Sequence, residues 1–351
     1  MTQELPETSA EMPQPRTRVV GLDALRGGAV FLVVFHHVLV FLGGNWFQVP
    51  AWLATVNWAL GFARMPTLLL LSGFLAQGIM KASRGRIFWR CANLAWLVLL
   101  WTPVVLLSKS TGETIGLPDI LREMARPNTE LWFLWALVVL AFIPIVVRAG
   151  VSRYVLLAVF FALSTALWSD YLRPSFFAAE QIGRYGMYFV VGCLFLDDRA
   201  MKALHRRSAA YGVALPLIGL ALHLAKAGGG GSLTYALLSI PEALCFALGA
   251  VALVSAIPAD YLVRTPIARL GRNTLPVYVC HIPVIMGLTL IDLSAPDAFS
   301  PLAALTAAVV VTMICLAFQR IANAWGLAFL FHVPRRLQAR VNGWVEHRWA
   351  R

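Results

Sequence analysis

The chain has 351 residues, of which 59% are hydrophobic and only 13% charged, yet its net charge is +12. A mean hydropathy of +0.73 excludes a water-soluble globule, because so little polar surface could not cover its core. The basic surplus could suggest nucleic acid, but its placement between apolar runs points to membrane topology instead.

Residues 1–17 are polar, with Pro and Glu and no apolar stretch, so they read as a disordered cytoplasmic leader, not a signal peptide. Apolar runs of about spanning length then recur near residues 22–43, 65–81, 87–108, 131–148, 153–169, 184–197, 209–226, 233–257, 272–291 and 302–325. The fold class expected is all-α, a polytopic membrane bundle of about ten spans, with a possible extra interfacial helix within 51–81. If the N-terminus is cytoplasmic, most of the 29 Lys and Arg fall in inner segments, which puts both termini in the cytoplasm. The bundle would occupy 18–331, followed by a basic cytoplasmic tail at 332–351.

The first span holds the most informative pattern. Arg26 and His37 are eleven residues apart, so at ~100° per residue they project from nearly one face, and the rise of ~16 Å separates them along it. Arg26 then lies near the interface and His37 deep in the span, where an imidazole needs a reason. Asp23 precedes Arg26 by three residues and can pair with it. His36 is rotated ~100° away and must face another neighbour. In an alternative reading both histidines are interior groups bonded to carbonyls.

Further along, Ser72-Gly73 interrupts an apolar run, where a small pair permits close helix approach. Glu242 follows Pro241 near mid-span and must be paired, protonated or wetted, which makes it a candidate partner for His37 or Arg26. His281 is another mid-span imidazole, with Pro283 kinking its helix. Structural and catalytic roles stay open for both. Cys91, Cys193, Cys245, Cys280 and Cys315 have no CxxC spacing and read as packing residues without disulfide or metal roles. Gly228 to Gly231 is a flexible tip, not a phosphate loop. No internal repeat supports an inverted-repeat transporter.

Gly21-Leu22-Asp23-Ala24-Leu25-Arg26 running into His37 resembles the opening of the acyltransferase-3 family of integral membrane acyltransferases. Arg64-Met65-Pro66 into Ser72-Gly73-Phe74, then Leu131-Trp132-Phe133-Leu134, Tyr188 to Gly192, and Leu270-Gly271-Arg272 into Tyr278, His281 and Pro283 are similar to its later motifs, in family order. The resemblance implies transfer of an acyl group, often acetyl, from cytoplasmic acyl-CoA to a hydroxyl of an extracytoplasmic or lipid-linked carbohydrate, in a bacterial cytoplasmic membrane. It makes His37 the catalytic histidine and Arg26 its matching arginine, with acyl-CoA as co-substrate and no permanently bound cofactor. Many members carry an Arg-x-x-Arg pair taken to hold acyl-CoA phosphates. Here Arg90 is followed at that spacing by Asn93, and Arg86 by Trp89. Arg86 and Arg90 share a helix face and stand as substitutes, with Arg84 and Lys81 nearby, and Ser72 is counted with Arg86 and Arg90 as acyl-CoA-binding. A transporter or flippase, and a non-catalytic scaffold keeping the fold, are the competing readings.

Overall fold

The computed structural model describes residues 17–80, 84–110, 114–229, 231–291, 300–334 and 337–340. Most of the leader and of the basic tail, together with Lys81, lie outside the described residues. Among those residues there is no β-strand, only an isolated bridge between Gly43 and Phe47. The helices are α1 (Thr17–Phe41), α2 (Ala51–Met80), α3 (Arg84–Lys109), α4 (Leu117–Ala125), α5 (Trp132–Leu140), α6 (Ile143–Arg148), α7 (Arg153–Trp168) and α8 (Phe177–Leu194). They continue as α9 (Asp198–Arg206), α10 (Ser208–Ala227), α11 (Ser232–Ser255), α12 (Ala259–Leu262), α13 (Pro266–Arg272), α14 (Thr274–Leu288) and α15 (Ser300–Ala324).

Among the described residues, six helices are long and apolar enough to cross a membrane: Val20–Phe41, Ala51–Ile79, Gly85–Lys109, Ser208–Lys226, Ser232–Ser255 and Ser300–Ala324. Trp132–Arg148, Arg153–Trp168 and Thr274–Leu288 are apolar but shorter. Three expected spans therefore change shape. The run 131–148 breaks into α5 and α6, where Pro144 cannot donate to the preceding turn. The run 272–291 loses its start to α13, because Asn273 leaves the helical region at φ −122° and ψ 30°. The run 65–81 is instead the second half of one 30-residue helix that carries Pro66 inside it. The extra helix expected within 51–81 is continuous with it.

α1 is the axle. It packs against α2, α11, α13, α14 and α15, while α8 and α7 lie beyond α2, and α10 pairs with α11. Val34 and Val38 are wholly buried on it, against a core shared with Leu69, Leu70, Tyr188, Val277 and Ile285. The outward faces of α10 and α15 stay apolar, with Leu217, Leu220, Leu302 and Met313 exposed. A helix apolar on its outward face needs lipid or protein around it.

Two crossings are made by glycines. A Cβ at Gly271 would sit 1.7 Å from the carbonyl oxygen of Asp23, and one at Gly27 2.0 Å from that of Ile267. α1 and α13 thus touch backbone to backbone, which sets Arg26 beside the start of α14. Gly73 meets the Phe189 carbonyl, and Gly192 the Leu70 carbonyl, in the same reciprocal way between α2 and α8. The small pair at Ser72-Gly73 serves close approach through its glycine. Gly271→Ala should cost about 1–3 kcal/mol through forced separation of the helices, read as a lower thermal midpoint in detergent. Gly78→Ala, with open space around it, should leave the midpoint unchanged.

Candidate active site

The two histidines of α1 face different helices. The His37 Nδ1 lies 3.1 Å from Nε2 of His281 on α14, with ring centroids 4.9 Å apart. His36 turns to α2, where the Asn57 side-chain amide donates to its Nδ1 at 3.0 Å. His281 is buried, and its own Nδ1 is 2.7 Å from the Tyr278 carbonyl oxygen. The Tyr278 hydroxyl in turn donates to the Glu130 carbonyl.

This chain of bonds fixes the protons. A peptide carbonyl accepts and never donates, so the hydrogen of neutral His281 is on Nδ1 and its Nε2 is an acceptor. His37 must then donate from Nδ1, which leaves its Nε2 lone pair unprotonated. A histidine with that tautomer is ready to take a proton. His37 is half-buried, and Phe41 stacks on its ring at 6.1 Å one turn further along.

At the other end of the stripe, Arg26 Nη2 donates to Thr274 Oγ1 at 3.2 Å. Asp23 and Arg90 lie in its electrostatic neighbourhood, and Asp23 has Arg272 in reach as well. Arg90 donates to the Leu75 carbonyl at 3.5 Å, and Arg86 projects into the exterior. The side chain of Arg84 lies outside the described residues. Ser72 is half-buried on α2. The structure therefore brings His37 to His281 and Arg26 to Arg90, at two levels of one helix.

Glu242 is not the partner expected. It is fully buried, but its Oε1 lies 2.7 Å from His223 Nδ1 and its other oxygen pairs with Lys226, both on α10. Pro241 precedes it within the continuous helix α11, and the carboxylate is directed to α10. Lys226 is enclosed further by the Ser239 hydroxyl at 3.1 Å and by the ring of Phe62 at 3.7 Å. A buried pair of this kind is a structural clasp.

Two features were not singled out from sequence. Glu130 pairs with Lys109 at 2.8 Å, and the Lys109 ammonium lies 5.4 Å from the Phe41 ring, just past His37. Arg64 donates from Nη1 to the Asn57 carbonyl and side-chain oxygens at 3.1 and 3.0 Å. A cation inside the apolar run of α2 was the signal for the second. A carboxylate directly before the Leu131-Trp132 motif was the signal for the first. Two clefts on the described surface lie away from His37. One of about 530 Å³ is bounded by Leu22, Leu25, Met201, Lys202 and His205, and the other of about 550 Å³ lies between α3 and α6.

A family model described as an acyltransferase domain matches residues 19–319. The chain belongs to the acyltransferase-3 family. Neither the curated proteins nor the solved structures contain a match. The family and the apolar helices together make this protein a membrane acyltransferase, and they set the transporter and scaffold readings aside.

Removing one partner of the clasp strands a buried charge. Lys226→Met should cost about 3–5 kcal/mol, and combining it with Glu242→Gln should recover most of the loss in thermal unfolding. For the imidazole pair, His281→Ala should lower the turnover number of acyl transfer about tenfold or more, because His37 then loses its preferred tautomer. His281→Gln, whose side-chain oxygen can accept from His37, should retain more activity than His281→Ala in the same assay.

Proposed function

We propose that this acyltransferase moves an acyl group, acetyl foremost, from cytoplasmic acyl-CoA to a hydroxyl of an extracytoplasmic or lipid-linked carbohydrate, with His37 as the base. The observation that carries this reading is the hydrogen-bond chain from His37 through His281 to the Tyr278 carbonyl, which leaves His37 Nε2 bare. Ten crossings with both termini cytoplasmic, in a bacterial cytoplasmic membrane, complete the arrangement, and the inner bias of Lys and Arg supports it.

The nucleotide end of acyl-CoA stays at the inner mouth, held by Arg26 and Arg90, with Arg86 outside them. Guanidinium forks suit phosphate oxygens. The pantetheine arm follows the Arg26–His37 stripe and brings the thioester to mid-span. His37 Nε2 takes the proton of the acceptor hydroxyl as its oxygen adds to the thioester carbonyl. The tetrahedral species then collapses, the carbon–sulfur bond breaks, and the departing thiolate recovers the proton from His37. The His281 bond holds the ring in place throughout, and the hydrogen on His37 Nδ1 never leaves it.

The test uses purified protein in detergent or nanodiscs with radiolabelled acetyl-CoA and a carbohydrate acceptor. His37→Ala should lower transfer by roughly 10²–10⁴-fold, the usual worth of a positioned base, with an unchanged thermal midpoint. Wild-type transfer by His37→Ala overturns the proposal. Label retained on the protein instead identifies an acyl-histidine intermediate in place of direct base catalysis.

A further inference from the structure

Arg64 lies in the middle of α2, two residues before Pro66, and is only 8% exposed. Other cations that are buried or partly buried are answered by a carboxylate: Lys109 by Glu130, Arg184 by Glu180 and Lys226 by Glu242. Among the described residues, no carboxylate lies within ion-pair distance of Arg64. Its partners are two oxygens of Asn57, both neutral. A guanidinium taken out of water without a counter-charge is destabilising, so the protein keeps it at a cost.

Its location accounts for that cost. Asn57 and Arg64 are two turns apart on one face of α2. Asn57 grips the guanidinium with its oxygens and donates through its amide to His36. The rings of His36 and His37 are 5.0 Å apart. Only Nη1 is engaged with Asn57, so of the five donor hydrogens of the fork, those on Nη2 and Nε are not committed to any described residue. A positive charge with uncommitted donors thus stands one amide away from His36, whose ring adjoins that of His37.

Resting on the reaction proposed above, we infer that Arg64 is a catalytic residue that binds the carbonyl oxygen of the acyl group as it becomes an oxyanion. When the acceptor oxygen adds to the thioester carbon, the carbonyl electron pair moves onto that oxygen. Arg64 receives this charge while His37 receives the proton. When the carbon–sulfur bond breaks, the pair returns to the carbonyl and the charge leaves with the thiolate. Donors set in advance around a developing charge, in a site with little water, stabilise it without reorganising. The missing carboxylate is then required, since a resident anion would occupy the guanidinium before the substrate did.

The test compares wild type, R64M, R64Q and H37A in steady-state transfer from acetyl-CoA to an uncharged sugar, with thermal unfolding in parallel. R64M removes the buried charge and keeps an apolar stem, so it should unfold at the same temperature as wild type or higher. Its kcat should fall roughly 10²–10³-fold, the loss usual for one oxyanion donor, with KM for both substrates within about twofold. R64Q should behave likewise in kcat. If kcat of R64M is within about threefold of wild type, Arg64 does not hold the oxyanion and the inference fails. A raised KM confined to an acidic sugar acceptor, with kcat intact, also overturns it and makes Arg64 an acceptor-charge site. Should both arginine variants unfold below wild type, Arg64 is structural and the inference fails too. If H37A is active, the underlying reaction is wrong, whereas an inactive H37A beside an active R64M refutes only the role of Arg64.

Discussion

A hydrogen bond between two imidazoles, His37 on α1 and His281 on α14, is what the rest of the site depends on. It spans 244 residues of sequence and ties the first helix to one near the end of the bundle. Its direction is imposed from outside the pair, by a peptide carbonyl that can only accept. The arrangement has the logic of a catalytic triad, in which a third group selects the tautomer of the working histidine. Here a main-chain oxygen does this without a carboxylate, so no negative charge need be buried next to the ring. Pro283, two residues past His281, adds a bend close to the contact.

Several cations of the described bundle are met by carboxylates, and others by neutral oxygens at two levels. Lys226 with Glu242 and Lys109 with Glu130 are pairs that join neighbouring segments, while Arg184 pairs with Glu180 within α8. They satisfy one another and hold helices in place. Arg64 alone in this part of the bundle is met by neutral oxygens, next to the histidines. Arg26 and Arg90 gather at the opposite end of α1, where Asp23 balances part of the charge. The molecule thus keeps free positive charge at two levels and neutralises it elsewhere, which is how a site differs from a scaffold.

Much of this was legible in α1. The 100° step separates His36 from His37, and the eleven-residue spacing sets Arg26 and His37 on one stripe, both local properties of a helix. Contacts made across the bundle were less accessible. Glu242 looked like a partner for α1 because a buried carboxylate needs a cation, but sequence does not say which of several cations it meets. Lys226 sits at a helix end, where an outward snorkel is the usual expectation, and it turns inward instead. Arg64 was visible as a cation in an apolar run, but that its neighbours are all neutral is a property of three dimensions. The splitting of 131–148 and 272–291 was signalled only by Pro144 and Asn273, since both runs are apolar enough to pass as single spans.

The glycine contacts between α1 and α13 have a consequence for the histidines. Backbone packed on backbone leaves α1 no freedom to slide, so its rotational setting ten residues later is fixed as by a keyway. Because two imidazoles occupy adjacent positions, an added residue between Gly27 and His37 would not remove the ring from α14. It would exchange one histidine for the other, delivering His36 to His281 and turning His37 away. Which histidine meets His281 is therefore a matter of phase along the helix, set at the far end of α1 by two residues that have no side chain at all.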